Sequence, residues 1–319
     1  MRRFTYQLKT GNEKIRRIFR RRKFLEFIDS LPHQNVFWLS WYAEYVRKAG
    51  FSGFMPYSPC KNTKNRIASD AIRKITISDR VVCRDIILPV PENEDAYRFI
   101  MSLLENISTY LLEDFGPEIS DTLHTAHPSP TEGSYEYTSV RLESGDILID
   151  AGACVGEFSA LAGVRGGRAY AFEPMPHVIE RYLSKTAAWN PNITICRYAL
   201  ADKPGELIFN ADPANSFGAS SVNDKKKECR INVEAIDLDT FVERNKLPRV
   251  DFIKADIEGA ERYMLMGAGR VLREFAPKIS ICTYHLPDDP EVLRDLILAA
   301  NPRYVIEERW KKMYAYVPK

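Results

Sequence analysis

Asp150, Gly152, Gly156, Glu173, Asp256, Glu258 and His285 all fall where an apolar run gives way to a turn, and their types suit chemistry at a sheet edge. In "DILIDAGACVGEFSA" (146–160) a buried-strand pattern ends at Asp150 and passes through Gly152 and Gly156 with only small residues between. The apolar run in "RAYAFEP" ends at Glu173, 17 residues past Gly156. "VDFIKADIEGAE" carries Asp256 and Glu258 just after another apolar run, and "KISICTYH" ends on His285. Imidazole titrates near neutrality, so His285 is the expected general base for taking a proton from a hydroxyl. Asp256 would hold the imidazole or the acceptor in line, with Glu258 beside it. The same three side chains form an oxygen–nitrogen set suited to Mg²⁺ or another divalent ion. No ligand-spacing motif accompanies them, so the primary expectation includes no metal. Glu261 opens the next helix, where a carboxylate meets the positive end of the macrodipole.

The glycine turn narrows the choice of cofactor. A dinucleotide fingerprint reads Gly-x-Gly-x-x-Gly, whereas here Cys154 replaces the middle glycine and the pattern is Asp-x-Gly-x-x-x-Gly. Asp150 is awkward beside a pyrophosphate but suits the cationic ammonium and sulfonium of S-adenosylmethionine. A carboxylate at the end of the second strand, Glu173, can accept both ribose hydroxyls; NAD enzymes use an acid there too, so the turn and the acid decide together. Ala151 and Ala153 flank Gly152, Pro174 follows Glu173, and Ala199-Leu200 end the third strand; with Asp256 these complete the expected cofactor set. The competing account of Gly152 and Gly156 is close helix–strand packing with no ligand.

Elements able to position these residues are evident from about residue 131 onward. "DILIDAG", "RAYAFEP", "ITICRYAL", "VDFIKADIEG" and "KISICTYH" read as buried strands, and helical patterns such as "HVIERYLSKTAAWN" and "DPEVLRDLILAAN" lie between them. Such alternation predicts an α/β fold with a largely parallel sheet and helices on both faces. "RYVIEERW" and "KMYAYVP" would add an antiparallel pair, and "GELIFNADP" with "VEAIDLDTFV" an extra hairpin or arm. "SFGASSVNDKKKECR" reads as a loop. Tyr135 or Tyr137 in "EGSYEYTS" could cover the methyl end of the cofactor or serve the core. Residues 1–130 lack this rhythm and read as a mainly helical region with Pro-punctuated loops. The boundary is expected in "HTAHPSPTEGS".

"DILIDAGACVGEFSA…RAYAFEP", "VEAIDLDTFV" and above all "DFIKADIEGAE" resemble the FkbM family of S-adenosylmethionine-dependent methyltransferases. The resemblance spans about residues 131–319. It implies a class I methyltransferase, Rossmann-like sheet of seven strands with the seventh inserted antiparallel. It also implies O-methylation as the commonest chemistry, often on sugars or secondary metabolites. Cys154 stands where the family usually has Asn or a similar residue.

The 319-residue chain is 45% hydrophobic and 28% charged, as ordinary globular proteins are. No apolar run has the length to cross a bilayer, the N-terminus lacks the apolar core of a secretory signal, and the six cysteines form no Cys-x-x-Cys pair. A cytoplasmic location is the resulting expectation. Residues 1–130 hold 20 Lys/Arg and 15 Asp/Glu, a net of +5, while residues 131–319 hold 25 and 28, a net of −3. "KIRRIFRRRKFLEFIDSL" (14–31) reads as a helix with a basic face. A nucleic-acid-binding protein or RNA methyltransferase using that arm is the alternative function, and a catalytically silent scaffold is a third. Nucleic acid is not the expected partner, because no aromatic–basic motif accompanies the arm. The expected partner is a small-molecule or glycan acceptor, with residues 1–130 as an acceptor cap or a homodimer contact. On that view a chain starting near 131 would bind cofactor but lose acceptor turnover.

Overall fold

The computed structural model describes residues 75–77, 80–89, 106–111, 132–211 and 229–318. The basic helix read at 14–31 and most of the loop read at 216–230 lie outside them. Five apolar runs become the parallel strands β3 (Ile147–Ala151), β4 (Arg168–Phe172), β5 (Ile193–Cys196), β9 (Phe252–Ala255) and β10 (Lys278–Cys282). Burial on both faces explains why most of these strands read as continuous apolar runs rather than alternating ones. Two more strands, β11 (Val305–Arg309) and β12 (Lys312–Tyr316), complete a seven-stranded sheet in the order β11-β12-β10-β9-β3-β4-β5. β12 pairs antiparallel with both β10 and β11, and the other pairings are parallel.

Helices cover the sheet. α2 (Glu157–Val164) follows β3, and α3 (Pro176–Val178) runs through a π-helical segment, Ile179–Leu183, into α4 (Ser184–Trp189) after β4. α5 (Leu238–Arg244) starts at Asp237, whose side chain accepts the Thr240 N–H at 2.7 Å as an N-cap. α6 (Glu261–Met266) and α7 (Gly269–Glu274) connect β9 to β10. α8 (Asp289–Ala300) opens with Asp289, Pro290 and Glu291 and buries Leu293 and Ile297 at a spacing of one helical turn. Ile149, Ile253, Ile279, Val271, Leu272 and Leu293 meet in the main core. The extra arm is a second, three-stranded sheet: β8 (Cys229–Ile236) lies between β6 (Ala199–Leu200) and β7 (Gly205–Ala211).

By contacts the chain divides into two compact units, Met1–Ser78 with Leu112–Pro130, and Asp79–Leu111 with Thr131–Lys319. The second unit therefore takes in a segment before 131. There β1 (Arg80–Cys83) and β2 (Ile86–Pro89) form an antiparallel hairpin in a stretch whose sequence suggests helix and loop. It forms because Val81, Cys83, Ile86 and Leu88 are all fully buried. Asn190 locks the hairpin on, accepting the Ile87 N–H at 3.0 Å and donating to the Ile87 carbonyl at 2.6 Å. α1 (Ser108–Leu111) follows Asn106, which donates to Glu157 at 2.6 Å; Thr109 donates to the buried Glu136, which also takes Arg165. No helix among the described residues is long and apolar enough to cross a membrane.

Candidate active site

Parallel strands β3, β4 and β9 end side by side, so the turn after β3 and the acids after β4 and β9 share one edge of the sheet. The turn is strongly bent: Gly152, Cys154 and Gly156 have φ of 72°, 48° and 88°. Gly152 is required by its neighbour as well as by its own backbone. A Cβ there would sit 2.0 Å from the Asp256 carbonyl oxygen. A Cβ on Gly156 would meet Leu183 at 2.7 Å, so this glycine serves helix packing. Gly152→Ala should therefore cost about 2–5 kcal/mol, from about 1–2 of left-handed strain and about 1–3 of overpacking. Gly145 has φ of 82° but open space around its missing Cβ, so Gly145→Ala should cost only the strain, a difference readable by urea denaturation.

Asp150 is buried, and the cation facing it belongs to the chain. Lys254 Nζ lies 3.1 Å from Asp150 Oδ1, and Ser159 donates to Asp150 Oδ2 at 2.7 Å. Lys254 also donates to the Gly152 carbonyl at 2.6 Å. Burial works against the Lys254 ammonium, but Asp150, Asp256 and Glu157 outweigh it and hold its pKa above the usual lysine value. Asp150 thus anchors the strand ends through Lys254 and does not line the cleft.

That cleft is lined by Ala151, Gly152, Glu173, Pro174, Ala199, Leu200 and Asp256, all named from sequence, and not by Ala153 or Gly156. Glu173 is 6% exposed, and each of its oxygens accepts one backbone N–H, from Met175 at 3.0 Å and from Cys154 at 3.1 Å. One lone pair on each oxygen remains for a ligand. Burial raises the Glu173 carboxyl to about 7, against the lowering effect of those two N–H groups and Lys254. Phe172, Met175, Val178 and Phe209 supply apolar walls that sequence did not single out, Phe209 coming from the arm strand β7. An acid with two free lone pairs beside an apolar slot fits a ribose and its base, so these residues suit the adenosine part of S-adenosylmethionine.

At the far wall Asp256 and Glu258 border the cleft and His285 sits behind them. Glu261 is fully buried and clamps the intervening loop, accepting the Ile257 N–H at 2.8 Å and the Gly259 N–H at 2.9 Å. That loop carries Glu258 and Gly259 at φ of 57° and 95°. His285 Nδ1 lies 2.9 Å from Glu261 Oε1, while Nε2 is 3.5 Å from Asp256 Oδ1 and 3.7 Å from Glu258 Oε2. Burial depresses the imidazole pKa, but Glu261, Asp256 and Glu258 outweigh it and raise the pKa to about 9. Three carboxylates thus favour the protonated ring in the free protein, and a protonated ring accepts no proton. Tyr135 donates to Asp256 Oδ2 at 2.7 Å, a core and positioning role. Burial pushes the Asp256 carboxyl up, but Lys254, His285 and Lys312 outweigh it and hold it below the usual carboxylate range.

Six parallel strands with one antiparallel strand inserted next to the last, and a ligand cleft at the carboxyl ends of the first two and the fourth, define a class I methyltransferase-like fold. Residues 150–304 match the family model described as the methyltransferase FkbM domain. The chain is 25% identical over 159 residues to the hexuronic acid methyltransferase AglP of Haloferax volcanii, covering 50% of this chain and 64% of that protein. Among solved structures it resembles methyltransferase FkbM from Methylobacillus flagellatus, with 22% identity, a TM-score of 0.43, and 71% of this chain and 56% of that one covered. Aeropyrum pernix fibrillarin, solved with natively bound S-adenosyl-L-methionine, shares 15% identity at a TM-score of 0.34, with 55% and 68% covered. The chain thus spans less than two thirds of the length of both the curated relative and the solved FkbM protein.

Proposed function

We propose that the protein is an S-adenosylmethionine-dependent methyltransferase that methylates a hydroxyl of a sugar or another small hydroxylated molecule. The observation that carries this reading is Glu173, a buried carboxyl at the cleft with one lone pair free on each oxygen. Glu173 would hold the ribose hydroxyls, and Phe172, Met175, Leu200 and Phe209 the adenine. S-adenosylmethionine supplies an electrophilic methyl group on a sulfonium. Asp256 and Glu258 form the acidic wall at which the acceptor hydroxyl would be oriented, and Tyr135 holds Asp256 in place. Sugar acceptors are supported by the name of the Haloferax volcanii relative. Residues 1–130 are proposed to shape acceptor entry or a contact between copies.

Glu173→Ala should weaken S-adenosylmethionine binding by about 1.5–3 kcal/mol, the scale of hydrogen bonds to a charged group. Binding should also depend on pH. Ribose hydroxyls donate, so they favour the ionised carboxylate, whose pKa in the free protein is about 7. Affinity should rise as pH increases toward 7 and level off above it, with a proton released on binding at the acidic end. In the free protein the same raised pKa makes folding less favourable as pH climbs from the ordinary carboxylate range to about 7. Calorimetry in buffers of different ionisation enthalpy reads the proton directly. A pH-independent affinity, equal in Glu173→Gln, would remove Glu173 from the ligand site. A methyl-transfer screen over glycosides and small hydroxylated metabolites then tests the acceptor class, and preferential binding of NAD would refute the whole reading.

A further inference from the structure

His285 is buried in a way that hydrogen bonding does not explain. Its side chain is 7% exposed, yet among the described residues neither ring nitrogen has a hydrogen-bond partner. The 2.9 Å approach of Glu261 to Nδ1 is ionic contact without the alignment of a hydrogen bond. A buried polar group without a partner costs about 1–3 kcal/mol, so a persistent one calls for a ligand. The charged groups set against the ring are all carboxylates, Glu261, Asp256 and Glu258, while the Tyr284 ring packs on it with centroids 4.3 Å apart.

We propose that Asp256, Glu261 and His285 hold one divalent cation, with Glu258 at its open side. One donor atom from each of the three lies within 4.8 Å of the others. Ligand bonds of about 2.0–2.2 Å put donors on opposite sides of an ion about 4–4.4 Å apart, so only a small contraction is needed. The carboxylates are already fixed for the task. Tyr135 donates to Asp256 Oδ2; Oδ1 lies toward the ring, accepts a long 3.5 Å hydrogen bond from the Tyr284 hydroxyl and keeps a second lone pair, while the Ile257 and Gly259 N–H groups pin Glu261. Both oxygens of Glu261 keep a second lone pair. One imidazole nitrogen with carboxylate oxygens favours Mn²⁺ or Zn²⁺ over Ca²⁺. Asp256 and Glu258 border the cleft, so an ion here would touch an acceptor hydroxyl and make it more acidic. That use rests on the methyltransferase reading, whereas the binding site does not.

The test uses the full-length protein, stripped with EDTA and dialysed, then titrated with Mn²⁺ alone by calorimetry and by electron paramagnetic resonance of the free ion. One equivalent should bind in the micromolar range, and His285→Gln and Asp256→Asn should each weaken it at least tenfold. S-adenosylmethionine is titrated into the same stripped samples, and its affinity should be unchanged by His285→Gln. Thermal melts of each variant confirm folding; where Asp256→Asn fails to fold, His285→Gln alone decides. Absence of stoichiometric Mn²⁺ and Zn²⁺ binding to the folded wild type overturns the proposal. So does undiminished binding in folded His285→Gln. Metal binding without S-adenosylmethionine binding upholds the ion site and refutes the cleft reading; the reverse result refutes the ion site alone.

Discussion

A chain cut to begin at residue 131 should fail to fold, rather than keep the cofactor site and lose only acceptor turnover. The cut removes Val81, Ile86, Leu88 and Ile107, each fully buried. At about 1.5–3 kcal/mol for each side chain, the loss is about 6–12 kcal/mol. Whole domains have a net stability of only about 5–15 kcal/mol. Asn190 and Glu157 would also lose the polar partners they find in Ile87 and Asn106. A chain beginning at residue 79 keeps all of these contacts and should fold. Urea denaturation followed by circular dichroism compares the two, and equal midpoints would show that the hairpin adds no stability.

Lys254→Met should destabilise the protein by about 3–5 kcal/mol, the cost of leaving a buried charge without its partner. Lys254 and Asp150 are 4% and 1% exposed, so water cannot replace the ammonium. The penalty should shrink as pH falls, because the stranded carboxylates can then take up protons. Asp150→Asn combined with Lys254→Met should recover much of the loss, giving a clear coupling energy in a double-mutant cycle. Additive single effects would mean that the ion pair does not hold the strand ends together.

The edge residues were legible because a parallel sheet brings its strand ends to one side. Glu173, Asp256 and Glu258 each follow an apolar run, and their convergence follows from that order. Lys254 was not recognised, although its signal was present. A lysine inside "DFIKAD", a strand buried on both faces, has to find an anion, and the register sets Lys254 directly beside Asp150. Glu261 was read for its place at a helix start. Its reach back to two loop N–H groups depends on the left-handed turn at Glu258 and Gly259, which composition does not reveal. The protonation of His285 was out of reach for a similar reason: its carboxylates surround the ring only once the loop and the β10 end have been brought together. The β1–β2 hairpin escaped notice because its turn is Arg84-Asp85, without the glycine or asparagine that marks most tight hairpins.

The turn after β3 also behaves like a reading frame. Positions 152, 154 and 156 take left-handed backbone angles, while Ala153 and Val155 between them are buried at 2% exposure or less. Deleting or inserting a single residue ahead of this run would move Ala153 or Val155 into a left-handed slot. A β-branched residue there is a genuine backbone outlier. The same slip would drop a glycine into a core position that needs a side chain. The length of the segment is therefore as constrained as its composition, and variation in this turn should be confined to substitutions.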